Sequence, residues 1–143
     1  MPQTEDELRS LVAEWVRKAD LDFATVERLA PEERFRDVVM FHAQQATEKF
    51  VKAVLARHQI EFPKTHVIKH LLILLAPVEP ALTETLHETR WLSPFGVEIR
   101  YPADRADSLP GDEVRALALT RLVRESVMAL LNPYLASEET QPL

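Results

Sequence analysis

Apolar residues recur at helical spacing along most of the chain. Between Leu8 and Leu29 they repeat at i, i+3 and i+4, which predicts one long amphipathic helix from about Glu5 to Leu29. Thr4 precedes this pattern and is the predicted N-cap. Pro31, followed by two glutamates, predicts a second helix that begins near the proline and runs to about His58.

Shorter patterns follow the second helix. The stretch HVIKHLLILLA predicts a short helix over 66–76, for which Thr65 is the expected cap. After two prolines, ALTETLHETRWL predicts another helix over 81–92. A last long helix is predicted from Asp112 to Pro133, because proline has no N–H to continue a helix.

Three long helices and two short ones, joined by short connections, predict an all-α fold, an up-and-down antiparallel helical bundle. The one irregular region, over 93–111, holds both of the chain's glycines and several prolines. No segment has a convincing strand pattern. We therefore expect a single domain over 1–143, with its core over about 5–132 and a frayed tail over 133–143.

Composition narrows the classes of function. The chain has no cysteine, which excludes disulfides, thiolate metal sites and cysteine nucleophiles. A formal net charge of −6 argues against a dominant attraction to nucleic acid. The acidic N-terminus is unlike a signal peptide, and the longest apolar run, over 71–78, is too short to span a bilayer. We expect a cytoplasmic protein without a membrane segment.

The second predicted helix carries two ordered stripes within FHAQQATEKFVKAVLARH, residues 41–58. One stripe is small and apolar, which suits the close packing of a neighbouring helix. Its members are Val39, Ala43, Ala46, Phe50 and Ala53. The other stripe steps by 4, 3, 4 and 3 residues, as a coiled-coil seam does. Its members are Phe41, Gln45, Glu48, Lys52 and Leu55.

The second stripe has two interpretations. Glu48 and Lys52 can form a solvent-exposed i, i+4 ion pair of little energetic weight. Alternatively, the apolar Phe41 and Leu55 at its ends predict contact with a second subunit, or a cleft, rather than solvent. Both interpretations remain open from the sequence.

Three motifs, in this order along the chain, resemble the HEPN family, whose name abbreviates the higher-eukaryote and prokaryote nucleotide-binding domain. The first is the Gln-Gln-Ala-x-Glu-Lys core, here Gln44 to Lys49 with Lys52 three positions on. A Thr-His pair, Thr65 and His66, and an Arg-Tyr-Pro segment, 100–102, follow. The resemblance covers roughly residues 8–132. It implies a dimeric helical bundle that often partners a minimal nucleotidyltransferase encoded beside it.

Many HEPN relatives are ribonuclease toxins of toxin–antitoxin systems, with an arginine followed after four to six residues by a histidine. This chain has no histidine after Arg100. The one numerical match, Arg36 and His42, lies before the Gln-Gln core, where the family's motif does not belong. We therefore favour a non-catalytic binding or adaptor module. A metal-independent ribonuclease with a divergent catalytic set is the alternative.

The resemblance also implies a nucleotide site in a cleft of the bundle. Its candidates are Gln45, Glu48, Lys49, Lys52, His66, Arg100 and Tyr101. Structural roles compete with this interpretation: Arg100 can pair with Glu48, His66 can cap or pack at a helix start, and the two lysines can be solvated. His66 and His70 form an isolated i, i+4 pair without a third ligand, so we expect no metal and no cofactor. The expected ligand is a nucleotide or RNA.

Overall fold

Five α-helices and two 3₁₀ segments make up the fold in the computed structural model, which describes residues 4–96 and 108–137. The α-helices are α1 (Glu5–Leu29), α2 (Arg36–Arg57), α3 (Ile68–Leu75), α4 (Pro80–Thr85) and α5 (Asp112–Ala136). The 3₁₀ segments span Glu33–Phe35 and His87–Phe95. No strand occurs in the described residues. The predicted all-α bundle is confirmed.

α1 begins with the predicted cap. The Thr4 hydroxyl accepts a hydrogen bond from the Glu7 N–H at 3.1 Å, and the Glu7 carboxylate accepts one from the Thr4 N–H at 3.1 Å. This reciprocal pair is a capping box, which satisfies two donors that the first turn would otherwise leave unpaired. The acidic first turn also favours the positive end of the helix dipole.

α2 is the central helix, packed against α1 and α5, with α3 and the second 3₁₀ segment against it. Its predicted apolar stripe, Val39, Ala43, Ala46, Phe50 and Ala53, is completely buried. Small side chains on this stripe let neighbouring helices approach closely. None of the helices in the described part of the chain combines the length and apolar character that spanning a bilayer requires.

The two short helices differ from their predicted bounds. Thr65 does not cap α3; its hydroxyl accepts from the Val67 N–H, and the Ser93 hydroxyl accepts from the N–H of Ile68, the first residue of α3. The helix predicted over 81–92 divides into α4 and a 3₁₀ segment. At that division the Leu86 carbonyl accepts both the N–H and the hydroxyl of Thr89, so an i+3 bond replaces the α-helical one.

The predicted helix end at Pro133 is wrong, because α5 continues to Ala136. A proline so near the end of a helix removes only one backbone bond, which tertiary contacts can offset. Here the Tyr134 carbonyl accepts from Arg9 Nε at 3.2 Å, which ties the last turn of α5 to α1. The second helix also begins later than predicted, at Arg36, after a 3₁₀ turn.

Candidate functional site

A buried carboxylate organises the polar residues of α2. Glu48, 3% exposed, accepts from Lys52 Nζ at 2.5 Å, from Gln44 Nε2 at 3.1 Å and from His66 Nδ1 at 3.2 Å. Gln44, Glu48 and Lys52 are four residues apart, so they form a ladder along one side of the helix. We call these three residues and His66 the Glu48 cluster. All of its charged groups have partners inside the protein.

Lys52 is enclosed by aromatic rings as well as by its ion pair. Its Nζ lies 5.6 Å from the ring centroid of Trp15 on α1 and 5.5 Å from that of Phe62. The two rings pack edge to face at 5.9 Å. A cation over ring faces is attracted by their negative quadrupole, so the rings compensate part of the desolvation of the ammonium group.

Gln44 connects this cluster to its surroundings. The side chain is completely buried, donates to the His66 carbonyl at 2.8 Å and accepts from Gln45 Nε2 at 2.8 Å. Gly96, at the end of the second 3₁₀ segment, lies against it. A β-carbon at position 96 would stand 2.3 Å from Gln44 Cδ, closer than real contacts allow.

A second polar cluster joins α1 to α2. Asp22 on α1, 8% exposed, binds His42 Nδ1 at 2.7 Å through one oxygen and Lys49 Nζ at 2.6 Å through the other. We call these three residues the Asp22 cluster. Burial alone would raise the pKa of Asp22, but the hydrogen bonds from His42 and Lys49 outweigh it and lower the pKa below its ordinary value.

Both clusters lie within the part of the chain that a known family model matches. The HEPN domain model matches residues 12–131, which include every member of the two clusters. This chain belongs to the HEPN family. No curated protein and no solved structure matches it.

The geometry of this HEPN domain corrects both interpretations of the second stripe at Glu48, Lys52 and Leu55. Leu55 is completely buried within one chain, and Glu48 and Lys52 are also buried, so the predicted exposed seam is wrong for these three residues. The exposed ion pair is equally wrong, because Trp15 and Phe62 close over Lys52. Only Phe41 and Gln45 of that stripe are half-exposed.

The two lysines of the predicted nucleotide site are not free cations. Lys49 and Lys52 each place their ammonium group on a carboxylate, so neither charge is unopposed. His66 does not act as a helix cap; it contacts Glu48, and its side chain is 63% exposed. Arg100 and Tyr101 lie outside the described residues.

Arg36 and His42 share no common partner among the described residues. Arg36 Nε donates to Glu113 of α5 at 2.7 Å, a bond that lowers the pKa of the Glu113 carboxyl. His42 binds Asp22 of α1 instead. Nothing in these contacts joins the arginine to the histidine for phosphate chemistry. Among the described residues, no group of three or more side chains is arranged to hold a metal ion.

Sequence reasoning missed Asp22, and it assigned Gln44 to the family motif but not to the candidate site. Asp22 carried a signal, because it lies between the buried Ala19 and Val26 along α1. A polar residue at a core position of an amphipathic helix predicts a buried hydrogen bond, because an unpaired polar group there is costly.

Asp22→Asn is expected to lower the free energy of unfolding at pH 7 by about 1–2 kcal/mol, because Lys49 and His42 lose an ionised acceptor. The pKa of Asp22 is lower in the folded state. Its contribution is therefore complete above the unfolded pKa, near 4, and disappears as the pH falls through the lower folded value. Urea denaturation between pH 2 and 7 measures this dependence, which is weaker in the variant.

Asp20→Asn is the matched control for this experiment. Asp20 pairs with Arg124 at 2.7 Å, but its side chain is 38% exposed. Exposed pairs contribute about 0–1 kcal/mol, so this variant should change stability little. Equal losses in both variants would contradict a special role for the buried carboxylate.

Proposed function

We propose that this chain is a non-catalytic HEPN binding module that forms a homodimer and pairs with a minimal nucleotidyltransferase subunit. The observation that carries the proposal is the internal pairing of the Glu48 cluster. Lys52, Gln44 and His66 all contact the same buried carboxylate, so neither Glu48 nor Lys52 is free to act as a base or nucleophile. Such a cluster stabilises the helices that present an outer binding surface.

The dimer surface that we propose is the half-exposed side of α2 near its N-terminal end. Val38 is 40% exposed, and Phe41 and Gln45 continue the same side at i+3 and i+7. Apolar groups that remain exposed on one side of a helix favour contact with another protein. Phe41 and Gln45 are the members of the predicted seam that are not buried, and the proposed surface includes both.

Phe41→Asp tests this surface by sedimentation. We expect the wild-type chain to sediment as a dimer and the variant to shift toward monomer, because a carboxylate would be buried at the interface. Ile73→Asp on α3 is the control, since Ile73 is 59% exposed and lies on a different helix. A wild-type monomer at high concentration would reject the dimer, and equal shifts in both variants would reject this surface.

The nucleotidyltransferase partner is tested by co-expression. A tagged minimal nucleotidyltransferase from the same genome should retain this chain through purification. Substitutions at Gly96 or in the core would alter folding, so they are unsuitable probes. Surface variants such as Phe41→Asp show whether the partner contacts the same surface as the proposed dimer. Failure to co-purify, with both chains shown to be folded, would reject this partner.

We also propose weak nucleotide binding by Gln45, Lys49 and His66, which are the described candidates for the nucleotide site that are not buried. The exposed His66 ring and the half-buried Lys49 amine support it. A phosphate must compete with Asp22 for Lys49, so we expect a Kd on the order of 1 mM. Calorimetry with ATP and GTP, repeated on Lys49→Gln, tests this; no heat at millimolar ligand would remove the nucleotide. From the family resemblance, Arg100 and Tyr101 belong to the same proposed set.

One observation favours the ribonuclease alternative. Asp22 binds His42 through Nδ1, a contact that orients an imidazole and leaves Nε2 as a possible acid or base. The binding-module proposal predicts that wild-type protein, Arg36→Ala and His42→Ala all leave RNA intact. Metal-independent cleavage that is lost in His42→Ala would instead establish the alternative.

A further inference from the structure

A cleft of about 500 Å³ opens at the end of the bundle that is formed by the start of α1 and the ends of α2 and α5. It is separate from both polar clusters. Its polar lining includes Arg9, Arg57, His58 and Tyr134 together with two glutamates, and its apolar lining includes Leu130 and Leu131. A volume of this size suits a small organic ligand.

Two hydrogen-bonding groups of this cleft are unused. The Arg57 guanidinium stacks 4.0 Å from the ring centroid of Tyr134, and it pairs with no carboxylate in the described residues. The Tyr134 hydroxyl is shielded from solvent and has no hydrogen-bond partner among those residues. A buried hydroxyl without a partner is destabilising, so an acceptor that reached it would bind favourably.

The other charges of the cleft are occupied. Glu79 binds His58 Nε2 at 2.9 Å, and Glu5 lies 4.0 Å from Arg9. Arg9 covers Tyr134 at 5.2 Å from its ring centroid and also binds the Tyr134 carbonyl. The two glutamates oppose the entry of multiply charged anions, whereas Arg57 attracts a single negative charge.

We propose that this cleft binds a small aliphatic monocarboxylate, whose carboxylate oxygens accept from Arg57 and from the Tyr134 hydroxyl. Planar guanidinium matches a carboxylate in a bidentate manner. The ring contact is the one interaction that holds Arg57 in the described structure, so its guanidinium can rotate away to admit the ligand. The aliphatic chain of the ligand then packs against Leu130, Leu131 and Pro133.

The proposal is tested by titrating the full chain with acetate, butyrate, hexanoate and inorganic phosphate. Calorimetry or amide NMR shifts measure the binding. We expect affinity to rise up to about fourfold for each added methylene, as for burial of apolar surface, and to exceed that for phosphate. Arg57→Gln should weaken hexanoate at least tenfold. Arg121→Gln, which alters an exposed arginine paired with Glu27, should leave binding unchanged.

Tyr134→Phe provides a second readout that a purely structural tyrosine would not give. Without ligand, the variant should be as stable as the wild type or more so, because it removes an unpartnered hydroxyl. With saturating hexanoate, it should lose most of the increase in Tm that the wild type gains. A lower Tm without ligand, affinity that is independent of chain length, or hexanoate binding unaffected by Arg57→Gln would each overturn the proposal.

Discussion

Replacing Glu48 with glutamine is expected to lower the free energy of unfolding of this HEPN domain by about 3–5 kcal/mol. Glutamine keeps the shape of the side chain but removes the negative charge that Lys52 contacts at 2.5 Å. The Lys52 side chain is only 10% exposed, so water cannot replace the lost partner without rearrangement. His66 and Gln44 also lose an ionised acceptor.

A double-mutant cycle separates the pair from its surroundings. Lys52→Met removes the cation and should also destabilise, because it leaves the Glu48 carboxylate buried. Glu48→Met completes the cycle. The double variant Glu48→Met with Lys52→Met replaces the pair by apolar side chains, so it should recover most of the loss of either Met single variant. Urea denaturation measures all three. A loss below about 1 kcal/mol for Glu48→Gln would mean that the pair behaves as an exposed one.

The burial of this pair explains where sequence reasoning succeeded and where it failed. The apolar stripe of α2 and the Thr4 cap of α1 are local patterns, and both are confirmed. The periodicity of α2 also placed Glu48 and Lys52 correctly on one side of the helix. Their burial was not predictable from that helix alone, because charged residues are seldom buried and the covering rings, Trp15 and Phe62, come from outside that helix.

The helix ends show the same division between local and long-range causes. Thr4 and Asp112 act within one turn, so the starts of α1 and α5 were predictable. Past Pro133, the last turn of α5 is bound by Arg9, which is 125 residues from Tyr134 along the chain. A local rule about proline could not include that contact.

The family motif therefore has a structural meaning in this chain. The side chains of Gln44, Glu48 and Lys52 form a buried ladder along one side of α2. Lys49 binds Asp22 of α1. Polar networks of this kind specify how helices pack, because any other arrangement leaves buried groups unpaired. We base the proposed binding module on this internal pairing, because it leaves neither Glu48 nor Lys52 free to exchange protons.

Gly96→Ala is expected to lower the free energy of unfolding by about 2–3 kcal/mol. The backbone at Gly96, with φ of −86°, suits alanine, so the cost comes from contact rather than from backbone strain. The added β-carbon would meet Gln44 Cδ at 2.3 Å and Oε1 at 2.4 Å. Gln44 cannot move aside cheaply, because it is completely buried and held by Glu48, Gln45 and the His66 carbonyl.

Two comparisons make this prediction specific. Gly111→Ala introduces the same methyl group where no atom lies within 4 Å but φ is +96°, so its cost of roughly 1 kcal/mol is backbone strain alone. Adding Gln44→Ala to Gly96→Ala removes the clash, so the double variant should lose less than the sum of the two single losses. Additive losses in urea denaturation would mean that Gly96 does not act through Gln44, because two residues in contact must show a coupling energy.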